Sequence, residues 1–259
     1  MQRIRLPMTR TRFRSITLGL LVAPLALGLA ACGKSDEAAA PTSGEPVARV
    51  DAPAGKSWTD VVEKTAEGGY RVGNPQAPIK LIEFAALSCS HCAEFSKESA
   101  EPLRQTYISS GRVSYELRYF MLNALDIPAS LLTTCGATEA VIPLSEQFWA
   151  WQPKLFENMQ AASKERLAQL DALPKDQQLG AIADVAGMTE FFASRGIARD
   201  QAAACLADTA KAKAFADQTQ KASEQYNVTG TPTFVINGSN VGSLSWKELE
   251  AKLQQAGAR

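Results

Sequence analysis

Apolar and polar positions change their spacing several times along this 259-residue chain, and each change marks an element. Ile79 to Phe84 is a short β-rich run, and Val113 to Phe120 alternates with β-branched and aromatic residues, so both are predicted strands. Between them, Ser88 to about Gly111 has helical spacing, with Gly111 as its stop signal. Strand, helix and strand in close succession imply a parallel, right-handed βαβ unit. From Asp126 to Ser223 the pattern becomes Ala-, Leu-, Gln- and Lys-rich at helical spacing, broken at Pro128, Pro143, Pro174 and Gly196. It predicts a block of four to six helices inserted between strands. Thr233 to Asn237 returns to strand, and Gly238 turns it toward Asn240–Gly242 as an antiparallel hairpin. Ser245 to Gln255 closes as a helix, with Ser245 and Glu248 spaced as a capping box. The fold class is α/β.

The first 31 residues stand apart from this pattern. Arg3, Arg5, Arg10, Arg12 and Arg14 precede an apolar run from Ile16 to Ala31 that is interrupted at Pro24. A basic start and a short, interrupted apolar run are the layout of a secretory signal peptide rather than a membrane span. The run ends Leu29-Ala30-Ala31-Cys32, which resembles the lipobox of bacterial lipoproteins. That resemblance implies cleavage before Cys32, a lipidated Cys32 and stable anchoring to a bacterial membrane through two or three acyl chains. An ordinary cleaved signal beside a chance cysteine is the alternative. Gly33 rather than Asp after Cys32 points to the outer membrane, by analogy with enteric bacteria.

Gly33 to Gly55 carries Ala, Pro, Ser and charge but no aromatic residue, so residues 32–57 read as a lipidated cysteine and a disordered tether. Its flexible reach is on the order of 25 Å. The rest suffices for one domain: residues 58–125, an insertion at 126–224, and residues 225–259. Charge changes once the leader is set aside. The full chain balances 27 basic against 27 acidic residues, and losing five arginines leaves 22 against 27, a net of −5. A mildly acidic body argues against nucleic acid as a partner. The five cysteines, Cys32, Cys89, Cys92, Cys135 and Cys205, then leave two possible pairs in an oxidising compartment.

Cys89-Ser90-His91-Cys92 falls where the first strand of the βαβ unit meets its helix. The thiolate is the attacking species, and a helix N-terminus carries about half a positive charge to stabilise it. His91, the single histidine of the chain, lies between the two sulfurs and favours the Cys89 thiolate as an imidazolium or a hydrogen-bond donor. The rival for such a pair is half of a zinc site. Zinc wants four ligands, and neither a second close-spaced cysteine pair nor a second histidine exists. No metal site and no cofactor are expected.

From about Tyr70 to the C-terminus the chain resembles the DsbA family of bacterial thiol:disulfide oxidoreductases, within the thioredoxin superfamily. Three stretches carry the resemblance. Cys89-Ser90-His91-Cys92 is similar to the family's Cys-Pro-His-Cys, with Ser90 in place of proline. Glu83, six residues before Cys89, stands where the family has a buried glutamate that handles protons for the second thiol. Gly230-Thr231-Pro232-Thr233 stands where the superfamily has its cis-proline loop. The resemblance implies a thioredoxin fold with an inserted helical subdomain. It also implies that Cys89 exchanges with clients, Cys92 resolves, Glu83 takes the Cys92 proton, and Thr231 and Pro232 receive a client strand. An edge carboxylate facing water is the other reading of Glu83. Some family members carry a second disulfide in the insertion, which implies a bond between Cys135 and Cys205; two separate thiols are the alternative.

The expected partners are exported client proteins with cysteines and a membrane redox partner, at the periplasmic face of a bacterial membrane. Thr231 is more typical of isomerases and reductases than of the strongest oxidants, and Ser90 also shifts the potential. An isomerase would need a dimerisation domain, and the tether is too poor in apolar residues to supply one, so a monomeric oxidant is expected. A disulfide reductase or isomerase, and a carrier holding Cu(I) through Cys89, His91 and Cys92, are the alternatives.

Overall fold

In the computed structural model, which describes residues 44–259, six strands make one mixed sheet. They are β1 (Val62–Lys64), β2 (Tyr70–Gly73), β3 (Ile79–Ala85), β4 (Val113–Tyr119), β5 (Thr233–Ile236) and β6 (Ser239–Gly242). Their order is β1-β2-β4-β3-β5-β6. β3 and β4 are parallel, from Ile79 opposite Val113 to Ala85 opposite Tyr119, and the other neighbours are antiparallel. In β3 only Lys80 is exposed, as befits an interior strand covered on both faces. The signal peptide, Cys32 and residues 33–43 of the expected tether lie outside the described residues.

The crossover from β3 to β4 is α1 (Ser90–Pro102) followed by a π-helical stretch, Leu103–Ile108. The single helix expected up to Gly111 therefore changes its winding at Pro102, which has no amide hydrogen to donate to the preceding turn. Gly111 has φ +70°, and a Cβ there would collide with Val50 O and the Trp58 indole. Glycine is needed for both reasons.

That close approach exposes a second difference. Residues 44–55, expected as part of a disordered tether, are laid along the domain. Gly44 N donates to Gln255 O at 2.6 Å, Val47 N to Gly257 O at 2.9 Å and Val50 N to Ser110 O at 3.0 Å. The Trp58 indole donates to Val50 O at 2.7 Å. The bonds are made by backbone, so a composition poor in apolar residues gave no sign of them. β1 and β2 were also missed. They are too short to establish an alternation, and β1 is an edge strand of three residues.

Between β4 and β5 the described chain forms α2 (Asp126–Thr133), α3 (Val141–Ala161), α4 (Lys164–Ala172), α5 (Lys175–Val185), α6 (Met188–Ala193), α7 (Arg199–Leu206) and α8 (Thr209–Tyr226). That is seven helices rather than four to six. Pro128 and Pro143 proved to lie inside first turns, where the amide has no intrahelical partner to lose, and so do not mark breaks. Phe148, Phe191 and Phe192 centre this layer, with ring centroids 5.0–5.7 Å apart. Cys135, after α2, is disulfide-bonded to Cys205 in α7, with Cα atoms 5.9 Å apart. α9 (Trp246–Gln255) ends the fold with the expected capping box between Ser245 and Glu248. Among the described residues no helix is long and apolar enough to cross a membrane.

Candidate active site

The last residues of β3 enter a buried turn, Ala86 to Ser88, that delivers Cys89 to the N-cap of α1. Cys89 is extended there, φ −80° and ψ 119°. Its sulfur accepts the Cys92 N–H at 3.4 Å, and its thiol donates to Thr231 O at 3.3 Å. The helix therefore aims unpaired amides at the sulfur. Cys89 keeps 8% of its surface while Cys92 keeps none. Both are free thiols.

The two sulfurs are polarised in opposite directions. A hydrogen bond from the Cys92 thiol does most to lower the Cys89 pKa from 9.0 to about 5, against the effect of burial. The Thr231 side chain and the main-chain N–H groups of Cys92 and His91 add to it. Burial pushes the Cys92 thiol well above its ordinary range, and its bond to Cys89 and the charge of Glu83 push the same way. The His91 ring is 79% exposed, with Nδ1 3.8 Å from Glu94 Oε2. What His91 gives to Cys89 is its backbone N–H.

Glu83 lies in β3, 1% exposed. Tyr115, on β4 two positions before Leu117, the register partner of Glu83, donates its hydroxyl to Oε2 at 2.7 Å, and Oε1 has no partner. Burial raises its pKa from 4.5 to about 8, against the bond from Tyr115. A carboxyl so held stays mostly protonated at neutral pH and suits proton exchange with a neighbouring thiol. Across the cleft the Thr231–Pro232 peptide is cis, and Thr231 leads directly into β5. Cys89, Cys92, Glu83, Thr231 and Pro232 are thus gathered at one end of the sheet, with the His91 ring at the rim.

Three further residues hold this end and carry no local signal. Asp126, at the start of α2 and fully buried, accepts from Ser88 N at 2.8 Å and from Ser88 Oγ at 3.1 Å. It also accepts from Leu122 N and Asn123 N at 2.9 and 3.0 Å. The Trp149 indole donates to Ala86 O at 3.0 Å. Gln152, one turn further along α3, donates to Leu87 O at 2.8 Å and Cys89 O at 3.1 Å. The inserted helices therefore clamp each residue from Ala86 to Cys89. The i, i+3 spacing of Trp149 and Gln152 is visible in the sequence, but their partners are not.

A groove of about 300 Å³ is lined by His91, Glu94, Pro232 and Leu244 among others. Among the described residues no group of three or more His, Cys, Asp or Glu is arranged to hold a metal ion. The site offers a thiol that ionises readily, a buried thiol and a buried carboxyl, a set suited to thiol–disulfide exchange.

A family model described as thioredoxin matches residues 65–255. A curated relative, a putative protein-disulfide oxidoreductase of Rickettsia bellii, is 23% identical over 197 residues, covering 76% of this chain and 67% of that protein. The chain thus spans about two thirds of that relative's length. A crystal structure of a protein-disulfide isomerase from Novosphingobium aromaticivorans superimposes with a TM-score of 0.69 at 29% identity, over 73% of this chain and 97% of that one. Wolbachia pipientis alpha-DsbA1 shares the fold, with a TM-score of 0.57 at 19% identity, over 73% and 90% of the two chains.

Proposed function

The chain belongs to the thioredoxin family, and from that premise we propose that it is a DsbA-type oxidant that introduces disulfide bonds into exported proteins. The observation that carries this reading is the opposed polarity of the two sulfurs, Cys89 held near pKa 5 and Cys92 raised by burial. Stabilising the Cys89 thiolate stabilises the reduced protein, and that makes its disulfide a stronger oxidant.

In the forward direction a client thiolate attacks Cys89 Sγ. The Cys89–Cys92 bond breaks, and Cys92 leaves with the electron pair and takes a proton from Glu83. A second client thiolate then attacks the client sulfur of the mixed disulfide. The client disulfide forms and Cys89 departs as a thiolate, stabilised by the amides of Cys92 and His91. Thr231, facing Cys89 with its carbonyl, offers backbone for the client strand to pair with. A membrane redox partner takes the two electrons back, and the Cys92 proton returns to Glu83.

The signal peptide and the Leu29-Ala30-Ala31-Cys32 junction support export and anchoring through a lipid on Cys32, with the domain on the periplasmic face. Mass spectrometry of the mature N-terminal peptide tests this: a diacylglyceryl cysteine is expected, and an unmodified N-terminus elsewhere would exclude it.

A second reading, disulfide reductase or isomerase, has Thr231 in its favour, along with the likeness to a structure titled a protein-disulfide isomerase. The two are separated by mixing the oxidised protein with a reduced two-cysteine peptide. Near-stoichiometric peptide oxidation is expected, with Cys89→Ser and Cys92→Ser both inert because neither can form the internal disulfide, while Cys92→Ser mixed instead with the disulfide form of the peptide holds a mixed disulfide at Cys89. Peptide left mostly reduced would favour the second reading.

A further inference from the structure

Each turnover proposed above puts one proton onto Cys92 and later takes it off, and Glu83 is the group beside it. Yet Glu83 is 1% exposed, so its proton needs a way to bulk water. Behind the sheet end is a cavity of about 20 Å³ whose walls include Glu83, Tyr115, Ser99, Trp149, Arg104 and Glu146. That is room for one water molecule, which needs about 10–15 Å³ and polar partners. Glu83 Oε1 is a buried acceptor without a partner, and the Tyr115 hydroxyl is already committed to Oε2.

Glu146, on α3, forms the far wall and is a quarter exposed, so it meets both the cavity and the solvent. Arg104 binds its Oε1 at 2.8 Å and holds it in place. The titratable groups around the path are then Cys89, Cys92 and Tyr115 on the inner side and Arg104 and Glu146 on the outer. The charge of Glu146 disfavours that of Glu83, and burial raises Glu146 against the pull of Arg104. Two carboxyls that resist being charged together, joined by one water, form a relay in which one gains a proton as the other loses it.

We propose that Glu146 is the outer station of a proton relay that connects Glu83, through one cavity water, to bulk solvent. When Cys92 attacks a mixed disulfide on Cys89, its proton goes to the Glu83 carboxylate. Glu83 then gives a proton to the water, the water gives one to the Glu146 carboxylate, and Glu146 releases it to solvent. The new Cys89–Cys92 bond takes its electrons from the Cys92 thiolate, and the client or glutathione thiolate leaves with the pair of the broken bond. The inference rests on the reading of Cys89 and Cys92 as an exchange pair, but it does not depend on which way electrons flow. Glu146 acts through Glu83 and is a positioning residue.

The test uses the full chain as a Cys89–glutathione mixed disulfide and follows the release of glutathione by Cys92 in stopped flow. Glu146→Gln should slow release by about tenfold, the low side of what a positioned proton carrier contributes, while Glu146→Asp restores most of it. Alkylation of Cys89 in the reduced protein, which needs no proton from Cys92, should keep its wild-type rate and pH profile. In a Glu83→Gln background Glu146→Gln should add nothing further. Unchanged release in Glu146→Gln, or a full additional loss in the Glu83→Gln background, would overturn the relay. Failure of the exchange reading itself would show separately, as no glutathione release even from the wild type.

Discussion

The Cys89 sulfur lies 3.3 Å from the carbonyl oxygen of Thr231, 142 residues later in the chain, across the mouth of the site. A client cysteine that reaches Cys89 therefore meets the backbone of the Pro232 loop at the same moment, so strand pairing and sulfur exchange are served by adjacent atoms. The same sulfur receives the helix amides on its other side, and the balance of these contacts sets the energy of the thiolate.

That balance has a measurable sign. In the reduced protein Cys89 titrates at about 5 when folded, against 9.0 ordinarily, so the unfolded chain binds the extra proton between those values. This contribution to stability is full above the unfolded pKa and is lost as pH falls through about 5. The disulfide form lacks it. Glu83, raised to about 8 mainly by burial, has the opposite slope, and burial, the larger cause, acts on it whichever redox form the sulfurs are in. Calorimetry of the two forms across this window should show the reduced form melting higher, with a gap in Tm that widens as pH rises. A constant or narrowing gap contradicts the assignment of the low pKa to Cys89.

Glu83→Gln removes the group proposed to accept the Cys92 proton. Release of glutathione from the Cys89 mixed disulfide should fall by about 10²-fold. The wild-type rate should climb with pH through about 8, where the Glu83 carboxyl ionises, and the variant should lose that inflection. Retention of the inflection in Glu83→Gln would assign it to another group.

Gln152→Leu leaves Leu87 O without its side-chain donor in a buried turn and leaves Cys89 O with the Ala93 N–H alone. A loss of about 1–3 kcal/mol is expected for an acceptor stranded as Leu87 O would be. Because the Cys89 backbone then loosens at the N-cap, the Cys89 pKa should rise, as read by the ultraviolet absorbance of the thiolate. An unchanged pKa would show that the clamp supports the fold without tuning the sulfur.

Much of this arrangement was legible in the chain itself, and what was not has a common cause. The βαβ pattern, the capping box at Ser245 and the position of Cys89 at a strand–helix junction are set by neighbours a few residues apart. Periodicity reports such things directly. Asp126, Trp149 and Gln152 bind the turn before Cys92 from 38 to 65 residues away, so no local pattern announces them. The winding change at Pro102 was visible as a proline but not as a π-helical stretch. The backbone bonds of residues 44–50 leave no trace in side-chain composition. The His91 side chain is a different case: its place in the motif was plain, while its ring orientation toward Glu94 is decided by the helix surface.

The Cys135–Cys205 bond closes a loop with a sequence separation of 70 residues that holds α3 to α6 and most of α7. The chain-entropy model gives such a loop up to about 4 kcal/mol of stability. Replacing both cysteines by alanine should lower the urea midpoint accordingly while leaving the Cys89–Cys92 potential where it was, since the bond touches neither sulfur. A shift in that potential would mean that the insertion couples to the site through this bond.

The direction of electron flow is decided by the reduction potential of the Cys89–Cys92 pair, measured by equilibration of the purified protein with glutathione. Contacts that hold Cys89 as a thiolate raise that potential, while Thr231 and Ser90 are the features that argue for a lower one. The former act on the sulfur itself, and the expected value lies above about −200 mV, between those usual for protein disulfide isomerase and DsbA. A value near that of thioredoxin, about −270 mV, would contradict the oxidant assignment and make the protein a reductase.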